Sequence, residues 1–178
     1  TYPDGATYEG TWVDGVIDGQ GRATYPNGLI YEGGFVNARN DGAGVMTYPD
    51  GYRYEGEWQD GERHGRGVAT YPDGTVYDGQ FRDGLRHGQG SMVMPSGFRY
   101  EGAWSNGEIN GQGTATYANG DIYEGDFVRG KREGEGTMRY STGEQASGEW
   151  IGGALTRNST TTPAPDAAAD APEIPADQ

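Results

Sequence analysis

The chain has no cysteine, which excludes disulfide staples and thiol chemistry together. Lysine occurs once, as Lys131, so neither a Gly-Lys-Ser/Thr phosphate loop nor a kinase lysine motif is written in the 178 residues. The two histidines, His64 and His87, stand at the same repeat position one period apart, too far for a shared zinc ion. Gly-x-Ser-x-Gly and His-Glu-x-x-His are missing as well, so no catalytic site and no cofactor are expected. No run of 18 apolar residues is present, and nothing reads as a membrane-spanning helix. Positive charge is scarce: the net charge is −14, and the four acids and one arginine beyond Gly153 leave −11 on the remainder. Nucleic acid is a poor partner for a body of that sign, and an anionic lipid surface is disfavoured too. Local basic spots act only within about 8–10 Å at physiological salt.

What the chain has is glycine, 34 residues of it, in strict register. A tyrosine, an acid and a glycine, first as Tyr8-Glu9-Gly10, recur at Tyr31, Tyr54, Tyr77, Tyr100 and Tyr123, each 23 residues after the last. An aromatic follows each tyrosine by four: Trp12, Phe35, Trp58, Phe81, Trp104 and Phe127, with Trp150 ending a worn seventh copy. A fixed period of this length marks an array of stacked supersecondary units. The chain opens on Thr1–Gly5, the end of a repeat, so a preceding half-repeat is expected.

Each unit reads as two strands. Tyr31, Gly33 and Phe35 alternate onto one face and Glu32 onto the other, and Gly42, Gly44, Met46 and Tyr48 share a face in the second strand. Between units, Pro26-Asn27-Gly28, Pro49-Asp50-Gly51 and Pro72-Asp73-Gly74 read as three-residue hairpin loops. Within units, Asp14-Gly15, Asp60-Gly61 and Asp83-Gly84 read as part of a longer turn. Strands joined by such turns are antiparallel neighbours. The Trp/Phe alternation runs in step with Ala23, Met46, Ala69, Met92, Ala115 and Met138. That pairing of large with small suggests that the two positions touch across a hairpin. The same register would set Gly10 opposite Tyr25 and Gly33 opposite Tyr48.

Tyr54 to Gly74 spells Tyr-Glu-Gly-x-Trp-x-x-Gly-x-x-x-Gly-x-Gly-x-x-x-Tyr-Pro-Asp-Gly and resembles the MORN (membrane occupation and recognition nexus) repeat. The resemblance covers residues 1–153 in six full copies and a partial seventh. It implies an all-β fold, an elongated single-layer antiparallel meander of stacked hairpins forming an open twisted sheet. Residues 154–178, rich in Thr, Pro, Ala and Asp, read as a disordered tail.

Two surfaces are candidates. The first is an aromatic face for a protein partner, carried by Tyr31, Phe35, Tyr54, Trp58, Tyr77, Phe81, Tyr100 and Trp104. The second, weaker, is a basic rim facing lipid phosphates, made of Arg63, His64, Arg66, Arg86 and His87. The ladder Glu9, Glu32, Glu55, Asp78, Glu101 and Glu124 is too evenly spaced, at about 9–10 Å, for shared calcium ligation and reads as structural. The leading expectation is a non-catalytic, soluble scaffold or adaptor that binds protein. Homodimers or end-to-end pairs are expected through open strand edges, with Trp150 as an end cap or dimer contact. The resemblance also implies two alternatives: a peripheral phospholipid-binding module, and a regulatory appendage of an enzyme whose catalytic domain lies elsewhere.

Overall fold

The computed structural model describes residues 1–158 and 172–176. Those residues form fourteen β-strands and no helix, in two compact units. The first unit, Thr1–Leu85, holds β1 (Thr7–Val13), β2 (Val16–Thr24), β3 (Ile30–Val36), β4 (Arg39–Thr47), β5 (Arg53–Gln59), β6 (Glu62–Thr70) and β7 (Val76–Arg82). The second begins at Arg86, one residue into β8 (Leu85–Val93). It continues with β9 (Arg99–Ser105), β10 (Glu108–Thr116), β11 (Ile122–Val128), β12 (Lys131–Arg139), β13 (Gln145–Ile151) and β14 (Ala154–Asn158). Within each unit every strand pairs antiparallel with its chain neighbours, so each is an open meander. The array does not stop at Gly153: Ala154–Asn158 pairs with β13 as a further strand. The expected disorder of the tail falls largely on residues 159–171, which lie outside the described residues.

The two kinds of turn are the reverse of the expectation in length. The connection within a repeat is the tight one: only Asp60 and Gly61 separate β5 from β6, both at positive φ (52° and 93°). That is the conformation of a type I′ hairpin, whose twist matches the strands it joins. The residues read as the rest of a longer turn belong to the following strand. The connection between repeats takes five residues, as in Tyr48–Tyr52. There the Tyr48 amide donates to the Tyr52 carbonyl at 2.9 Å and the Tyr52 amide donates to Asp50 Oδ1 at 3.0 Å. Gly51 closes this turn at φ 97°.

The register explains the repeat motif, and it is not the register the size alternation suggested. Gly33 faces Gly44, and Phe35 faces Asn40, so one residue of β3 opposes three of β4 between those pairs. This bulge takes Gly42 to φ 75°, which accounts for the first glycine of Gly-x-Gly. The second, Gly44, lies under the ring of Tyr31. The Tyr31 hydroxyl reaches over the bulge and donates to the carbonyl of Gly34, the unopposed residue, at 2.9 Å. Tyr54, Tyr77, Tyr100 and Tyr123 do the same to the carbonyl three residues on, at 2.8–3.2 Å.

A ring therefore does lie over each bare glycine pair, but it belongs to the motif tyrosine rather than to Tyr25 or Tyr48. Nor do Trp and Ala face each other. Ala23 faces Tyr8 and Tyr31, and Met46 faces Tyr31 and Tyr54. Trp12 faces Ile17, and Phe35 faces Asn40. What distinguishes the tryptophans is a donor: Trp58, Trp104 and Trp150 give their indole N–H to the carbonyls of Gly44, Gly90 and Gly136 at 3.1–3.2 Å.

Candidate partner-binding face

The eight aromatic residues singled out for partner binding are the core of the sheet. Their exposure runs from 0% to 6%. In the first unit Tyr8, Tyr31 and Tyr54 each pack edge to face with the aromatic of their own repeat and that of the next. Tyr31 meets Phe35 at 5.0 Å and Trp58 at 5.3 Å, and Tyr54 meets Trp58 at 5.2 Å and Phe81 at 5.0 Å. The second unit repeats the arrangement from Tyr100 through Trp104, Phe127 and Tyr123 to Trp150. Each such pair is worth about 0.5–1.5 kcal/mol beyond its area burial, so the ladder is a stabilising element in a fold with little other apolar mass. Burial raises the hydroxyl pKa of Tyr31, Tyr54, Tyr100 and Tyr123 well above the ordinary tyrosine range. Trp150, expected as an end cap or dimer contact, is 3% exposed and covered within its unit.

The five residues of the basic rim differ in exposure. Arg66 is exposed and pairs with Asp78 at 3.1 Å, while His64 and His87 are half-buried. Arg63 and Arg86 are buried, at 7% and 2% exposure, and lie over the aromatic ladder. The Arg63 guanidinium sits 5.9 Å from the Tyr54 ring centre and 5.7 Å from that of Phe81. That of Arg86 sits 5.1 Å from the Trp104 indole. Arg132 is a third member, 3% exposed and 5.0 Å from the Trp150 ring. The sequence held a signal for this: the same repeat position is Ile17 and Ile109 in other copies, and an isoleucine there points inward.

These arginines hold main chain. Arg63 Nη2 donates to the carbonyl of Gly84 at 2.6 Å, and the Gly84 amide donates back to the Arg63 carbonyl at 3.1 Å. In the second unit, Arg86 with Gly107 and Arg132 with Gly153 repeat the exchange. Arg63 and Arg132 also donate to the hydroxyls of Tyr52 and Tyr117. Arg86 donates as well to a carbonyl from outside the repeats, that of Pro175, at 2.7 Å.

The opposite face carries the acidic ladder, and several of its members pair with arginines. Glu32 pairs with Arg22 at 3.0 Å, Glu55 with Arg53 at 2.8 Å and Glu124 with Arg139 at 3.3 Å, all solvent-exposed. Such pairs contribute roughly 0–1 kcal/mol each. Between the charged rows, bare glycine backbone leaves shallow grooves, one of them about 720 Å³ with Gly21, Gly33 and Gly44 along it.

Six consecutive segments, residues 8–30, 31–51, 54–76, 77–99, 100–122 and 123–145, match the MORN repeat family. The chain belongs to the MORN repeat family. Comparison with curated protein sequences found no match to this chain. Among solved structures, the array is similar to the Drosophila melanogaster SAS-4 TCP domain, described in complex with a proline-rich motif of Ana2. The identity is 16% and the TM-score 0.50, over 84% of this chain and 81% of that one. A second Drosophila structure, the TCP10c domain of Sas-4, matches at 16% identity and TM-score 0.43, over 74% of this chain and 80% of that one. The first of these likenesses is one of fold.

Proposed function

We propose that the MORN array is a non-catalytic scaffold that binds an extended segment of a partner protein across the arginine-bearing aromatic face of its sheet. The observation that carries this reading is Arg86, a guanidinium fixed over an indole that holds a main-chain carbonyl from outside the repeats. A donor already held in place loses little freedom on binding, and a carbonyl is a ligand that any extended segment presents. The rings are buried, and so are the arginines, so the contact is assigned to the Arg86 head, which already holds a carbonyl from outside the repeats, and to the edges around it. A sheet of this fold described in complex with a proline-rich motif supports an extended, proline-containing segment as the ligand. A strand edge left unpaired would give a second copy a place to add, which is the route we propose for end-to-end pairing.

The test is fluorescence anisotropy with labelled Pro-x-x-Pro peptides at low and physiological salt, run beside flotation with neutral and anionic vesicles. The expected result is peptide binding that changes little with salt and chains that stay below the vesicles. Flotation with anionic vesicles at physiological salt, with no peptide bound, would overturn the reading in favour of lipid.

A further inference from the structure

The Arg86–Pro175 bond joins residues 89 apart in sequence and belongs to a described segment, Pro172-Glu173-Ile174-Pro175-Ala176, that has neither strand nor turn structure. Its exposure is patterned: Pro172, Ile174 and Pro175 are half-buried, while Glu173 and Ala176 are exposed. The apolar members are therefore covered and the acid stays in water. Two prolines three apart favour an extended backbone, lower the entropy lost on docking and leave their carbonyls free for an outside donor. Arg86 supplies that donor from a fixed position, since Nε and Nη2 are also held by the Gly107 carbonyl at 3.1 and 2.8 Å.

The connection is long enough to be made within one chain. β14 and β8 lie six strand positions apart in the second unit, about 29 Å at the usual spacing. The chain from Asn158 to Pro172 can span about 45–50 Å when extended. A tethered segment also has an effective concentration on the order of millimolar, above that at which a free partner segment would usually compete.

We infer that Pro172–Ala176 is an intramolecular ligand of the second unit, seated at Arg86 beside Trp104, which a partner's Pro-x-x-Pro segment must displace. Only the last clause rests on the protein-binding reading above.

The full chain tests this directly, because its lack of cysteine lets Ala176→Cys carry a single nitroxide. The expected result is selective loss of the Trp104 indole N–H signal, with that of Trp150, four strands further along, retained. Pro172→Ser with Pro175→Ser in the labelled chain should restore the Trp104 signal. The same pair of substitutions in unlabelled chain should raise affinity for a free peptide of residues 170–178 by about tenfold or more. Trp104 and Trp150 signals that respond alike, or no gain for the free peptide, would overturn the inference. External peptides binding while Trp104 ignores the label would sink the internal ligand and leave the scaffold reading standing. A label that silences Trp104, with the free 170–178 peptide gaining affinity for the serine variant while no foreign Pro-x-x-Pro peptide binds, would sink the scaffold reading and leave the internal ligand standing.

Discussion

Gly44→Ala isolates what the paired glycines are for. Gly44 has no left-handed backbone requirement, so only the space around it matters. An added Cβ would lie 2.5 Å from Tyr31 Cζ and 2.6 Å from Cε2, about 1 Å inside an ordinary carbon–carbon contact. The ring cannot step aside cheaply, because it is fully buried and wedged between Phe35 and Trp58. Overpacking of this kind costs about 1–3 kcal/mol, and loss of the hydroxyl bond to the bulge carbonyl adds about 1 more. We expect about 3 kcal/mol in total. Tyr31→Ala alone should cost about 3–5 kcal/mol through the cavity it leaves. In that background Gly44→Ala should cost nothing, or gain about 0.5–1 kcal/mol, since glycine is itself unfavourable in a strand. Urea denaturation of the four chains gives the coupling, analysed with nearest-neighbour terms as repeat proteins require. A Gly44→Ala cost equal in both backgrounds to within about 0.5 kcal/mol would refute the steric account.

Trp58→Phe should cost about 1 kcal/mol by removing the indole donor to the Gly44 carbonyl, while Phe81→Trp should cost about 1–3 kcal/mol by crowding a site built for the smaller ring. Urea midpoints measure both, and a stabilising Phe81→Trp would contradict the packing argument. Ala38 sits at φ 62° in the one tight turn without its glycine, so Ala38→Gly should stabilise by about 0.5–1 kcal/mol. The buried tyrosines also set an alkaline limit. Their folded pKa values lie above the unfolded one, so the neutral form is favoured on folding. That stability is complete below pH of about 10 and is lost as pH rises through the folded values. Stability measured against pH should fall steadily above pH of about 10, and Tyr31→Phe should blunt the fall.

Much of the fold is written plainly in the chain. The 23-residue period, the two strands per unit, the Asp or Asn caps and the turn glycines all follow from local chemistry, and each is where it was expected. The hairpin register was not legible, because a bulge adds residues to one strand without leaving a hydrophobic mark. Gly42 and Gly44 look alike as letters, yet one serves the bend and the other the ring above it. The arginines were misjudged for a similar reason. Arg63 and Arg86 follow a turn and read as surface charge, while their inward direction depends on the strand beginning one residue earlier, at Glu62 and Leu85. The contact between Pro175 and Arg86 had no local signal at all, since its partners are far apart in the chain.

The reciprocal hold between an arginine and the turn glycine 21 residues on has a consequence for how such a chain can change over generations. Each hold reaches one repeat forward and no further, as in Arg63 to Gly84 and Arg132 to Gly153. A duplication or deletion of 23 residues leaves both sides of the new junction with the same turn amide and a carbonyl to receive it, as the Gly61 and Gly130 amides donate to the carbonyls of Asn40 and Ile109 where no arginine stands. A one-residue insertion instead moves the glycine by about 3.3 Å and turns the following strand over. The contacts thus tolerate change in whole repeats and resist it in single residues, so copy number is the dimension in which this protein can vary most freely.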